Sequence, residues 1–194
     1  MAAAVVLGGY LCGSVPYGLL VARLRGVDIR QRGSGNSGAT NVARSLGKKL
    51  GALVLALDAA KGALPVLLVL WLGLDRSVHP FVVTLAGLGA VLGHCYPPWL
   101  RFRGGKGVAT ALGVFAVVDA ELALGCVAVF VVLWVALRLA SVGSMAAALL
   151  LPLLQWAAAR PNHELALGIG AAALIMVRHR DNLRRLRAGK EHRV

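Results

Sequence analysis

The run GVATALGVFAVVDAELALGCVAVFVVLWVAL, residues 107 to 137, decides the fold, because its only charges are Asp119 and Glu121 near the middle. Read as one helix, it would bury two carboxylates in hydrocarbon, where each is costly. Read as two, it puts them at a turn between runs near 107–119 and 121–137. The first of these is short: about 12 residues at 1.5 Å each cannot span a core of about 30 Å. It therefore needs to start earlier, near Trp99, or to sit where the membrane thins.

Working outward, further apolar runs lie near 2–22, 51–74, 79–95, 142–158 and 164–178, which makes seven. The chain has 194 residues, 58% apolar and 15% charged, outside the usual range of a soluble domain. The expectation is an all-α, polytopic integral membrane protein with about seven transmembrane helices, residues 1–194 forming a single domain. The first run lacks the positive n-region of a secretory signal, its first basic residue being Arg23 at the far end, so it reads as a retained helix. Pro16, Pro65 and Pro152 are expected to kink their helices.

The distribution of charge argues for two crossings between Lys106 and Arg138. With two, eighteen of the 21 basic residues collect on one side, in the loops after Ala22, after Trp99 and at Arg138, and in the tail from Arg178. With one, the basic tail would lie opposite the basic loop after Ala22. The positive-inside bias then places the N-terminus outside and the C-terminus in the cytoplasm. Arg76 and Arg160 fall on the outer side with Asp75, Asp119, Glu121 and Glu164. Trp71 and Trp156 mark outer helix ends, Tyr17 and Trp99 inner ones. The net charge of +13 is thereby explained by orientation and by attraction to anionic membrane lipid, not by nucleic acid. Cys12, Cys95 and Cys126 show no metal or redox spacing and read as packing residues, and no metal site is expected.

Three segments fall on the inner side. In the first, Arg32 to Arg44, three glycines with Ser34, Asn36, Thr40 and Asn41 lie between arginines. Such a loop suits an anion, with backbone N–H groups freed by Gly33 and Gly35 and a helix starting near Thr40; the alternative is a flexible polar loop. In the second, Gly93 to Thr110, the turn Gly104-Gly105-Lys106-Gly107 resembles a P-loop but is not one, since Gly107 stands where Ser or Thr must follow the lysine and Leu100 where the first glycine belongs. What remains is a lysine presented by glycines at a helix start, suited to one phosphate, or else a basic interfacial loop. In the third, Arg178 to Glu191, His179 and Asn182 stand three apart and would share a helix face, though a basic tail also serves topology alone. Asp58 and Lys61, at i and i+3 inside the second helix, read as a structural pair. Ser141 reads as an N-cap of the sixth helix or a substrate contact.

On GSVP at 13–16, Asp28-Ile-Arg30, GSGNSGATN through Arg44, Asp58 with Lys61-Gly62, GHCYPPWLRFRGGKGVAT and RHRDNLRRLRAGKE, the chain resembles the bacterial acyl-phosphate:glycerol-3-phosphate acyltransferases almost end to end. It departs mildly from them at Tyr96, Trp99 and Lys190. The resemblance implies transfer of a fatty acyl group from acyl phosphate to the 1-hydroxyl of glycerol 3-phosphate, giving lysophosphatidate and phosphate in the first acylation of phospholipid synthesis. It implies no cofactor, a place in the bacterial inner membrane with the site facing the cytoplasm, and coupling to an enzyme that makes acyl phosphate. It also implies roles. Ser34, Asn36, Thr40, Asn41 and the neighbouring glycines hold acyl phosphate, Arg44 and Lys106 clamp a phosphate, His179 with Asn182 contacts the attacking hydroxyl, and Glu191 is structural. No His-x-x-x-x-Asp, G-x-S-x-G or zinc set is present, consistent with direct transfer from an activated donor. The rival from another class is an organic-phosphate transporter, lined by Asp58 and Lys61.

Overall fold

In the computed structural model, which describes residues 2–193, the regular structure is helical throughout. In chain order the helices are α1 (Ala2–Gly13), α2 (Tyr17–Arg23), α3 (Ala39–Leu46), α4 (Lys48–Trp71), α5 (Leu74–Ser77), α6 (Phe81–Cys95), α7 (Val108–Val118), α8 (Ala120–Leu137), α9 (Ala140–Ala157), α10 (Asn162–Arg178) and α11 (Arg180–Arg187). Each of the seven apolar runs is helical. Five segments are long and apolar enough to cross a membrane: Ala2–Arg23, Lys48–Trp71, Phe81–Leu100, Ala120–Leu137 and Ala140–Ala157.

Two readings of the sequence need correction. The first run is not one helix: it breaks between Gly13 and Tyr17, where Pro16 lacks the N–H needed to continue the ladder. The fourth does not start near Trp99. A 3₁₀ turn at Pro98–Leu100 is followed by Arg101 and Phe102 at positive φ, and α7 starts only after Gly107, itself at φ 85°. Pro65 and Pro152 do lie inside helices, α4 and α9.

Close backbone approach holds the bundle together. Gly9 and Gly13 of α1 face Gly89 and Gly93 of α6. A Cβ on Gly13 would fall 2.0 Å from the Ala90 carbonyl, and one on Gly93 2.0 Å from that of Tyr10. The i, i+4 spacing within each pair is the small-xxx-small pattern that lets membrane helices touch. Gly62 on α4 and Gly113 on α7 allow the same approach there. On the end away from the phosphate-suited segments, Arg160 pairs with Asp119 through two contacts of 3.1 Å and with Glu121 at 3.3 Å. Asp119 also caps α8, accepting from the Leu122 N–H. The carboxylates that split the deciding run thus tie the α7–α8 turn to the α9–α10 loop. The three cysteines are free.

Candidate functional site

The three segments meet in one cleft of about 130 Å³, with Arg44, Lys106, His179 and Asn182 on its wall beside Ser34 and Asn36. A second polar lobe of about 100 Å³ shares Ser34, Asn36, Lys106 and Asn182 and continues toward Arg180 and Arg185. The cleft is deep. It reaches Asp58, ten residues into α4 and so about 15 Å along that helix. That depth exists because α7 starts late, leaving room for the lysine turn inside the bundle.

The glycine-serine loop takes its shape from Asn41. That side chain is buried, donates to the carbonyls of Arg32 (2.9 Å), Asn36 (2.9 Å) and Ile29 (3.3 Å), and accepts from the Ser34 N–H at 3.0 Å. Its amide thus shapes the loop, and Asn41 also lines the cleft. Gly33, at φ 56°, packs flush on it, since a Cβ there would lie 2.3 Å from Asn41 Oδ1. Gly33 and Gly35 shape the loop without lining the cleft, whereas Ser34, Asn36 and Thr40 line it and α3 starts there, at Ala39. Asn36 Oδ1 accepts from the Gly38 N–H at 2.8 Å, an Asx turn that leads into the helix.

Gly104 and Gly105 donate to the last carbonyls of α6, Cys95 at 3.1 Å and His94 at 3.0 Å. They satisfy acceptors that the helix end would otherwise leave open and carry the chain to Lys106. Neither glycine lines the cleft itself. No hydrogen bond among the described residues engages the Lys106 ammonium. Burial in the cleft, with Arg185, Arg44 and Arg178 nearby and Glu191 partly opposing them, pushes its pKa down to about 8. A cation held this way gains by meeting an anion.

His179 joins α10 to α11 and is 1% exposed. Its Nδ1 lies 2.8 Å from the Ile175 carbonyl, which can only accept, so Nδ1 carries the proton and Nε2 keeps a free lone pair. Burial first, then the charge of Lys106, lowers its pKa to about 4, leaving it neutral at pH 7. Asn182 donates to Glu191 Oε1 at 2.6 Å, and its buried Oδ1 has no partner among the described residues.

Glu191 gathers this end of the cleft. Past α11, Gly189 at φ 65° turns the chain back. The carboxylate then accepts from Ser141 Oγ (3.0 Å), Asn182 Nδ2 and Arg185 Nε (2.9 Å). Burial alone would push its pKa up, but those donors leave it below the usual carboxylate range. Ser141 is therefore not an N-cap: α9 starts at Ala140, and the hydroxyl serves Glu191 while lining the cleft. Asp58 and Lys61 pair as read, at 2.8 Å, and Lys61 also donates to the Val15 carbonyl at 2.6 Å. His94 stands 3.6 Å from Asp58 and lines the cleft with it, a neighbour no sequence signal announced.

The other missed feature is apolar. A cavity of about 340 Å³ between α7, α8, α9 and α10 opens from the polar cleft, sharing Leu55, Val108, Ala109, Phe130 and Ser144 with it. Ser144 to Leu151 on α9, Gly168 to Ile175 on α10 and Val108 to Phe115 on α7 bound it. Each stretch is eight residues long, seven steps along its helix and a depth of about 10 Å.

The family model for glycerol-3-phosphate acyltransferase matches residues 3–189. The glycerol-3-phosphate acyltransferase of Myxococcus xanthus is 50% identical over 194 residues, covering 100% of each chain. That of Aquifex aeolicus is 45% identical over 189 residues, 97% of each. Two crystal structures of PlsY (YgiH), an integral membrane glycerol 3-phosphate acyltransferase, are similar throughout. The glycerol 3-phosphate form gives a TM-score of 0.92 at 45% identity, covering 100% of this chain and 95% of that one. The lysophosphatidic acid form gives 0.90 at 44%, covering 99% and 94%.

Proposed function

The chain belongs to the glycerol-3-phosphate acyltransferase family, and from that premise we propose that it takes its acyl group from acyl phosphate, delivers it to the 1-hydroxyl of glycerol 3-phosphate, and does so at the cytoplasmic face of a bacterial inner membrane. The observation that carries this reading is the continuity of two cavities: a cationic cleft with Lys106 and Arg44, and an apolar one opening from it at Phe130 and Ser144. Acyl phosphate has both characters in one molecule. Its phosphate fits the cleft and its chain the apolar cavity, while the second polar lobe gives a second phosphate room.

In this reading, Lys106 and Arg44 neutralise phosphate charge while Ser34, Asn36 and Thr40 orient the donor. The 1-hydroxyl donates to Nε2 of His179, and the free Oδ1 of Asn182 accepts from a glycerol hydroxyl. The hydroxyl oxygen attacks the acyl carbon, the bond from that carbon to the phosphate oxygen breaks, and phosphate leaves. An imidazole held near 4 is a weak resting place for a proton. His179 therefore orients the nucleophile, and the proton ends on an oxygen of the departing phosphate. Positioning and charge neutralisation suffice, because the donor is already activated. The excess of positive charge around the cleft supports the cytoplasmic placement, and a donor of this kind implies coupling to an enzyme that makes it.

Purified protein in detergent, given palmitoyl phosphate and glycerol 3-phosphate, should form lysophosphatidate and phosphate with no membrane gradient. Product from palmitoyl-CoA but not from palmitoyl phosphate would overturn the donor assignment. Substrate movement in vesicles without product would favour transport.

A further inference from the structure

Arg178 ends α10, one residue before His179, yet its side chain serves another segment. Nη2 donates to the Gly104 carbonyl at 2.7 Å and Nε to the Gly105 carbonyl at 2.9 Å, with the guanidinium carbon 5.1 Å from the centre of the Tyr96 ring. No carboxylate among the described residues lies within ion-pair distance, so two carbonyl dipoles and a ring face stand in for a counter-ion. Gly104 and Gly105 are held on their other side as well, their N–H groups by the end of α6. A Cβ on Gly105 would fall 2.0 Å from His94 Nε2, so the turn has no slack toward α6. The next residue along is Lys106. One planar fork thus grips both peptides of the turn, and the chain leaves the fork directly into His179.

We propose that Arg178 is a positioning residue: by fixing the Gly104–Gly105 turn it sets where Lys106 stands relative to His179. A lysine could not replace it, since an ammonium is a point donor and does not match two successive carbonyls as a fork does. The inference rests on the reading of Lys106 as a phosphate clamp.

A double-mutant cycle tests it. Binding of glycerol 3-phosphate, and separately of inorganic phosphate, is titrated calorimetrically in detergent for wild type, Arg178→Gln, Lys106→Ala and the double variant. Arg178→Gln should weaken binding about tenfold when Lys106 is present. In the Lys106→Ala background it should add less than about a threefold loss, because the residue it positions is gone. A full loss in both backgrounds, or wild-type binding by Arg178→Gln, overturns the proposal. A pH series adds a readout that mere loss of structure would not move. Lys106 is faced by Glu191, Arg185, Arg44, Arg178 and His179. Removing the charge of Arg178 should shift the alkaline fall in binding to higher pH, while Arg178→Lys should weaken binding and leave that limb in place. If Arg178→Gln does not stay folded, Arg178→Lys carries the cycle. Wild-type protein that bound inorganic phosphate but not glycerol 3-phosphate would sink the functional reading and still let the phosphate cycle decide on Arg178.

Discussion

Replacing Lys106 by methionine should make the ligand-free protein more stable while it weakens phosphate binding. Lys106 sits at about 8 against an ordinary lysine value of 10.5. At about 1.4 kcal/mol per pH unit, that gap is about 3 kcal/mol of cost for holding the ammonium in the empty cleft. The cleft reaches solvent, so this is a ceiling, and about 1 to 2 kcal/mol is the expected gain. The sign follows from proton counting. Between pH 8 and 10.5 the unfolded chain binds more protons at this lysine than the folded one, so folding stability rises with pH across that window. The cost is fully present below pH 8 and lost by about 10.5. At pH 7, Lys106→Met should melt about 2 to 8 °C above wild type in detergent, on the scale of about 2 to 4 °C per kcal/mol for a chain of this size. The gap should close as pH approaches 10.5. Glycerol 3-phosphate should raise the melting temperature of wild type more than that of the variant, because a bound anion relieves the same cost. A methionine variant that melts below wild type at pH 7 would show that the ammonium already has a partner, and the clamp would have to be sought elsewhere.

Three further outcomes are expected. His179→Ala should cut turnover about a hundredfold or more with little change in the KM for glycerol 3-phosphate, measured by lysophosphatidate formation; unchanged turnover would remove His179 from the chemistry. Lys61→Met should destabilise the protein by about 3 to 5 kcal/mol, since it strands the Asp58 carboxylate in the bundle. Adding Asp58→Asn should return most of that loss in a melting series, and additive losses would mean that the pair is not the strut described. Ala148→Phe places a ring in the apolar cavity and should lower turnover on palmitoyl phosphate about tenfold more than on octanoyl phosphate. Equal losses on both would move the acyl chain out of that cavity.

What could be read from the residues was whatever is written locally. Asp119 with Glu121 splits its run into α7 and α8, because two carboxylates so close along the chain are costly in hydrocarbon. The glycine-rich stretches around Ser34 and before Lys106 stand out by composition alone, and both segments reach the cleft. The i, i+4 glycines at 9, 13, 89 and 93 are local too, but their spacing does not say which helix meets which, and the α1–α6 contact appears only in the structure. The illegible part is long-range. Nothing near Glu191 says that Gly189 will turn it back onto Ser141, 50 residues away, or that Arg178 will reach the Gly104 carbonyl. That the Asn41 amide reaches back to the carbonyls of Ile29, Arg32 and Asn36 is likewise unwritten in its neighbours. The apolar cavity takes part of its room from alanines such as Ala147, Ala148, Ala171 and Ala172, which in a sequence cannot be told from close packing.

The short α7 ties these parts together. As a span it is defective, eleven residues and about 16 Å against about 30 Å. Its missing turns are what the cleft occupies. A helix that began near Trp99 would run through the volume where the Gly104–Gly105 turn now stands, and Lys106 would lie on a helix face at the membrane surface, away from Asp58 and the neck at Phe130. Arg178 would then have only helical carbonyls to meet, already engaged by their own N–H groups. From Arg101 to Gly105 the backbone N–H groups are met by the Pro97–Leu100 turn and the end of α6, and Arg178 meets the Gly104 and Gly105 carbonyls, the satisfaction that non-helical chain needs wherever a membrane surrounds it. The same bonds that satisfy this backbone carry the chain to Lys106, so the break before α7 and the placement of the lysine are one arrangement.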